Sequence, residues 1–285
     1  MFPAVIPVAG VGTRSLPASK VVPKELMPVF DRPIVQHIVE ELVSSGAKRV
    51  VFVSSRGKSL IEDHFDRQPE LEAFLESRGK SELLQEVRRL SDLIEVSSVR
   101  QKEAKGLGHA VGMARDLIQS SHFFVLLGDE MTVAKPSSVE QLLQVLEAIP
   151  SSEREGSGVV MLMKVGESEV SKYGICELQD GRVKKCLEKP QASQTNSRWA
   201  ITGRYLLPRT CFEHLKSLSA GAGGEIQLTD ALQCLAEEGK LYPCYFEGDR
   251  FDAGDRLGFL KANLHFYLKS EMAGELKDYL RGILK

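Results

Sequence analysis

The chain has 285 residues, 42% of them hydrophobic and 27% charged, with a formal net charge of −2. This is the balance of a soluble globular protein with a sizeable core. Its interspersed charges leave no electrostatic footprint for nucleic acid or an anionic membrane surface. No apolar run approaches bilayer-spanning length, and Met1-Phe-Pro-Ala lacks a charged region ahead of its apolar stretch, so the expected compartment is the cytoplasm.

A strand is predicted over 4–8, with Pro7 near its end because proline removes a ladder donor. It runs into Ala9-Gly10-Val-Gly12-Thr13-Arg14, and a second cluster follows at Pro23-Lys24-Glu25. Gly10 and Gly12 let the backbone approach a ligand, Thr13 and Arg14 offer donors to phosphate oxygens, and Lys24 adds a point charge. The segment reads as a nucleoside triphosphate site, against the plainer reading of a solvated basic loop. It is not a dinucleotide fingerprint: Ser15 replaces the third glycine, Pro17 and Pro23 block an immediate helix, and no acidic residue ends the second strand. The Gly-Lys-Ser/Thr of a P-loop is absent as well.

Next come a helix over 34–44 closed by Gly46, a strand over 50–54, a helix over 59–65, and a charged helical excursion within 68–90. The strand over 94–99 is followed by Arg100, Gln101 and Lys105-Gly106; the Gln101 amide both donates and accepts at a base edge, and Gly106 leaves room for it. A helix over 108–118 and a strand over 123–127 lead to Gly128-Asp129, where a magnesium-bridging carboxylate would stand at a central strand end. Asp252 is a candidate second ligand. For each aspartate alone, a turn or helix cap is the commoner use. This alternation predicts an α/β fold, a Rossmann-like, mainly parallel twisted sheet covered by helices on both faces, with ligands at the strand carboxyl ends.

After Gly158 the strands come close together, over 159–165, 174–178, 182–187 and 199–206, with Asp180-Gly181 as a hairpin turn. They predict an antiparallel or mixed addition to the same sheet, within one domain spanning 1–285. Tyr173-Gly174 and Glu188-Lys189 sit at element ends; Glu188 can accept two sugar hydroxyls while Lys189 meets a sugar phosphate, although an ordinary surface ion pair has the same spacing. Helices are expected over 226–238 and 257–269. The amphipathic end carries Leu276, Tyr279, Leu280 and Ile283, for packing on its own domain or on a second subunit. Five cysteines, an odd number with no C-x-x-C pair, are expected reduced and partly buried, and the six histidines form no zinc pattern.

Taken in order, Ala9-Gly-Val-Gly-Thr-Arg through Pro23-Lys-Glu-Leu-Met-Pro28, Arg100-Gln101, Lys105-Gly-Leu-Gly-His-Ala-Val111, Leu127-Gly-Asp129, Tyr173-Gly174, Glu188-Lys-Pro190, Gly203-Arg-Tyr205, Gly224 to Asp230 and Phe251-Asp-Ala-Gly254 resemble the bacterial UTP:glucose-1-phosphate uridylyltransferases, sugar nucleotidyltransferases also called UDP-glucose pyrophosphorylases. The resemblance covers essentially the whole chain. It implies that Ala9, Gly10, Gln101 and Gly106 hold the nucleoside, that Arg14 and Lys24 engage the phosphates, and that Asp129 and Asp252 bind Mg2+. It further implies that Tyr173, Gly174, Glu188, Lys189 and Gly203 hold glucose 1-phosphate, and it divides the chain into a nucleotide part over about 1–135 and a sugar part over about 136–285. Gly12, Thr13 and Glu25 are counted with the nucleotide side. The implied partners are UTP, glucose 1-phosphate, UDP-glucose and pyrophosphate, with a homodimer or homotetramer as the assembly. Ala9-Gly10 stands where related thymidylyltransferases usually have Gly-Gly, which tilts the base toward uracil. Two residues depart from the pattern, Glu130 where relatives often have aspartate or an apolar residue and Ala253 where cysteine is frequent. Three other readings stay open: transfer to another base or sugar, as in dTDP-glucose synthesis; a non-catalytic nucleotide-sugar sensor; and, disfavoured by the failed fingerprint, an oxidoreductase.

Overall fold

Pro7 closes a strand that lies in the middle of the sheet. The computed structural model, which describes residues 1–219, 221 and 224–284, begins with β1 (Ala4–Pro7), whose Ala4 and Ile6 join one buried cluster and Val5 the other. A segment with three short 3-10 turns, at Thr13–Ser15, Ala18–Lys20 and Lys24–Leu26, leads to a minimal hairpin of β2 (Pro28–Val29) and β3 (Arg32–Pro33). Helix α1 (Ile34–Ser44) then buries its Ile34, Ile38 and Leu42 stripe and stops where Gly46 takes φ 86°. β4 (Arg49–Ser54), α2 (Leu60–Asp63), α3 (Pro69–Ser77), α4 (Ser81–Ser91), β5 (Glu95–Arg100), α5 (Leu107–Gly112) and β6 (His122–Leu126) complete the first half. The helix expected over 108–118 divides into α5 and a 3-10 turn at Arg115–Leu117.

The second half contains more than periodicity revealed. β7 (Glu130–Val133), α6 (Ser138–Ala148) and α7 (Ser151–Arg154) precede β8 (Gly158–Lys164), β9 (Ile175–Gln179), β10 (Arg182–Leu187) and β11 (Trp199–Pro208). α8 (Cys211–Ser217), α9 (Leu228–Glu237), β12 (Leu241–Tyr245), β13 (Asp249–Asp252), α10 (Arg256–Leu268) and α11 (Ala273–Ile283) follow. The β9–β10 hairpin turns at Asp180 and Gly181 with φ of 51° and 74°, the doubly left-handed geometry that Asp-Gly favours.

Nine strands form one mixed sheet. Its main path runs β10-β9-β11-β6-β1-β4-β5, with β8 on β11 and β12 on β8. β6, β1, β4 and β5 are mutually parallel, and β11 joins antiparallel to β6. One face packs under α1 and α6 and the other under α5, α8 and α9, as expected for a doubly covered sheet. Pro7 tolerates the central position because β6 pairs only with Ala4 and Val5, so no ladder bond is asked of its nitrogen on that side. The chain moves outward from β1 through β4 to β5 and then returns to the other side of β1 with β6. That reversal opens a crevice at the strand carboxyl ends. No helix among the described residues is long and apolar enough to cross a membrane.

Candidate active site

The crevice is a cavity of about 810 Å3, and every residue singled out from the sequence as a site residue lines it. The loop after β1 brings Arg14 and Lys24 to it, and the end of β6 brings Asp129. The fourth charged group, Asp252, is delivered by β13, which pairs antiparallel with β7 in register Asp252↔Glu130. The Arg14 guanidinium bridges both carboxylates, at 2.8 Å to Asp252 Oδ2 and 3.3 Å to Asp129 Oδ2, and Lys24 Nζ lies 2.5 Å from Asp129 Oδ2. Residues 14, 24, 129 and 252 thus form one charge cluster, although more than a hundred residues separate each aspartate from its partners in sequence.

The loop that carries these cations is not extended. Gly12, at φ 72°, opens the first 3-10 turn, Ser19 Oγ donates to the Gly12 carbonyl at 2.6 Å, and Arg256 donates to the Leu16 carbonyl at 3.0 Å. Local turns and a tie to the start of α10 set Arg14 in place; the prolines that exclude a helix do not exclude 3-10 geometry.

Burial pushes the Asp129 carboxyl up, but Lys24 and Arg14 outweigh it and hold the group below the ordinary carboxylate range. Desolvation likewise works against the Lys24 charge, and Asp129 more than restores it. Both groups are therefore ionised at neutral pH. Glu25 is buried at the foot of the loop, where Lys58 donates to its two oxygens at 3.0 and 2.9 Å. Desolvation raises the Glu25 carboxyl and lowers the Lys58 amine. Lys58 had no sequence signal, since only the fold brings the start of α2 under the loop.

Glu130 is a strongly perturbed carboxyl of the site. Burial, with the neighbouring Asp129 and Asp252 charges, pushes it up to about 8 against the opposing pull of Arg250. Arg250 pairs with Glu130 Oε1, leaving Glu130 Oε2 and Arg250 Nε buried without a hydrogen-bond partner among the described residues.

Gln101, at the end of β5, donates its amide to the Gly106 carbonyl at 3.2 Å and to His109 Nδ1 at 2.9 Å, in the amide orientation and histidine tautomer that this network selects. Its Oε1 is the atom left for a ligand. The space beside Gly106, expected to admit a base, is filled by the chain itself: a side-chain carbon there would stand 2.5 Å from the Ile226 carbonyl oxygen. Gly106 lines the cavity, but its missing side chain accommodates the 225–227 segment, which also receives the Gly108 N–H at 2.9 Å.

Glu188 Oε2 accepts from Thr229 Oγ1 at 2.6 Å, and Lys189 Nζ lies 3.5 Å from Glu188 Oε1. A Cβ at Gly174 would meet Thr229 and Glu188, so the small residue keeps that part of the wall open. Gly203, at φ 80°, occupies the irregularity between Ile201 and Tyr205 where β11 leaves register with β8, and it lets the Leu127–Glu130 turn approach closely. Thr229 and Gly254 belong to this site although neither was singled out; both lie inside quoted motifs. At Gly254 a Cβ would stand 2.5 Å from Asp129 Oδ2, 2.7 Å from Arg14 Nη2 and 3.1 Å from Asp252 Oδ1.

That small space between two aspartate side chains, beside the Arg14 guanidinium, offers hard oxygen donors and is closed to any larger residue at 254. It fits magnesium, which takes one or two protein carboxylates and completes its shell with phosphate and water. No cluster of three or more acidic, histidine or cysteine ligands exists among the described residues, so a cation bound by protein alone is not what the site provides.

Strands that place a basic loop and two carboxylates around a crevice at the sheet's reversal define a fold for handling nucleotides, and residues 3–268 match the nucleotidyl transferase family model. The chain belongs to that family. It is 42% identical over 288 aligned positions to UTP–glucose-1-phosphate uridylyltransferase 1 of Staphylococcus saprophyticus, covering 99% of this chain and 98% of that one, and 42% identical to UTP–glucose-1-phosphate uridylyltransferase of Bacillus subtilis, covering 99% and 96%. Among solved structures, UTP-bound UGPase from Acinetobacter baumannii superposes with a TM-score of 0.88 at 33% identity over the full length of both chains. A UDP-glucose pyrophosphorylase complexed with UDP-glucose superposes at 0.82 with 33% identity, over 95% of this chain and all of that one.

Proposed function

We propose that the protein transfers UMP from UTP to glucose 1-phosphate, giving UDP-glucose and pyrophosphate, with magnesium as cofactor. The observation that carries this reading is the convergence of Arg14, Lys24, Asp129 and Asp252 in one cavity that also holds Glu188 and Lys189. The relatives' names support the pair of substrates. The whole chain acts as one unit in this reading, working in the cytoplasm.

A phosphate oxygen of glucose 1-phosphate attacks the α-phosphorus of UTP in line; a new P–O bond forms as the bond from that phosphorus to the bridging oxygen breaks, and pyrophosphate leaves with the electron pair. The nucleophile is already an anion near neutral pH, so no general base is required. The protein's task is to hold two anions together in line and neutralise the charge on the departing group. Arg14 and Lys24 donate to the triphosphate, exchanging part of their contact with the aspartates for phosphate oxygens. Asp129 and Asp252 would hold the magnesium, which supplies charge neutralisation to the phosphates when bound. Gln101 Oε1 accepts from the N3–H of a uracil ring, and Glu188 with Lys189 meets sugar hydroxyls and phosphate.

Uracil and thymine present the same N3–H, so the runner-up is transfer of TMP. Pyrophosphate release with glucose 1-phosphate and magnesium, run with UTP, dTTP, CTP and ATP and with galactose 1-phosphate as sugar control, separates the readings. A UTP and glucose preference is expected; a dTTP preference moves the function to a sister activity, and no release with any pair indicates a sensor. The assembly we propose is a homodimer or homotetramer, for which the exposed apolar side chains of α11, Tyr279 and Ile283, are candidate contacts.

A further inference from the structure

We propose that Arg250 is a positioning residue that ties the two-stranded β7–β13 ribbon to Tyr173 and so aligns the sugar-binding wall of the cavity with the Asp129–Asp252 pair. The inference rests on the sugar-binding role that the family resemblance implies for Tyr173, which lines the cavity beside Glu188 and Lys189.

Arg250 stands two residues before Asp252 on β13, opposite Thr132, and Glu130 follows Asp129 directly at the start of β7. One Nη group of Arg250 pairs with Glu130, and the other reaches the Tyr173 hydroxyl at 3.5 Å, with the guanidinium 5.3 Å from the ring centroid. A planar fork can make both contacts at once, which a lysine ammonium cannot reproduce. The Tyr173 backbone is anchored independently, its carbonyl accepting from Lys189 N at 3.1 Å, while Val170, Ile175 and Ala200 back its side chain. Arg250 is thus a contact between the ring and the ribbon that ends in Asp252 and follows directly on Asp129.

Stability alone gives little reason for this arrangement. Arg250 and Glu130 side chains are 13% and 9% exposed, and their pairing is end-on, leaving one polar atom of each unsatisfied. Buried pairs of that kind seldom stabilise a fold more than apolar residues of the same volume. What the pair does achieve is orientation. It fixes the guanidinium plane against the ring from a strand that carries a site carboxylate two residues on, so a shift of the ribbon moves both together.

The test is the binding of UDP-glucose and of UDP, measured by calorimetry with magnesium, for the wild type, Arg250→Met, Arg250→Lys, Tyr173→Leu and the Arg250→Met/Tyr173→Leu double variant. Arg250→Met is expected to weaken UDP-glucose about tenfold and UDP less than twofold, with Arg250→Lys in between. In the Tyr173→Leu background the Arg250→Met change should weaken UDP-glucose by less than a further twofold, because the two residues act through one another. Parallel kinetics should raise KM for glucose 1-phosphate and leave KM for UTP unchanged. Equal weakening of both ligands, or a full Arg250→Met effect without the tyrosine, overturns the proposal while leaving the sugar-site reading intact. A wild type that binds UDP-glucose no more tightly than UDP removes the sugar-site reading, and this inference with it. Should Arg250→Met not fold, Arg250→Lys carries the same comparison.

Discussion

Arg14 is more than half exposed and Lys24 is well buried, yet both converge on one carboxylate oxygen of Asp129. With Asp252 on the other side of Arg14, two cations stand against two carboxylates, and each side favours the charged form of the other. In the proposed reaction phosphate oxygens take over part of the contacts that the two cations now make with the aspartates. Replacing Arg14 or Lys24 by alanine is expected to lower kcat by about 10²-fold or more, with the thermal midpoint changing little for the exposed Arg14; pyrophosphate release together with a melting curve checks both parts. Gly254→Ala is expected to cost at least about tenfold in turnover, since its methyl group would enter the space between Asp129, Arg14 and Asp252. Gly181→Ala serves as the contrast. Its backbone is left-handed but nothing lies near its Cβ, so it should destabilise by about 1 kcal/mol and leave turnover unaltered.

At the scale of elements, one carboxylate ties α3 to α4. Glu72 of α3 is nearly inaccessible and is held by Arg67 and, at 2.9 Å, by Arg88 of α4. Hydrogen bonds from Arg67 first and Arg88 second hold its pKa down to about 2. A lowered folded-state value makes the contribution present above the unfolded carboxyl pKa of about 4.3 and lost as pH falls through about 2. Glu72→Gln is therefore expected to melt below the wild type at pH 6–7, with the difference shrinking steadily in melts taken down toward pH 3. The existence of α3 and α4 was legible in the sequence from charged, leucine-spaced runs. β7, β12 and β13 were not, because strands of four or five residues with polar or proline positions carry no period of their own. Their pairing partners alone make them strands, and one of them delivers Asp252.

Across the whole molecule, the two buried clusters on either face of the sheet include no α11 residue. That helix has no buried position and makes its main contact with α10, with Tyr279 65% and Ile283 61% exposed. Deleting residues 273–285 is therefore expected to leave cooperative unfolding and turnover per chain within about twofold of wild type. Light scattering on the same variant reports whether the exposed face joins copies of the chain; an unchanged mass would remove α11 from that role.

By itself the sequence determined the parallel core and the alternation of its helices, and its local chemistry together with the family resemblance identified sixteen cavity residues. Those features are local: β-branched runs, amphipathic spacing and glycine-basic turns specify them within a few residues, and the resemblance added roles that local chemistry left open. Only the tertiary structure decided which residues meet. The Glu25–Lys58 pair, the Glu130–Arg250 pair beside Tyr173, and the exclusion of any Cβ at Gly254 all arise between segments far apart in the chain. Burial then set their charge states, since desolvation acts on a carboxylate according to where the fold puts it and not according to its neighbours in sequence.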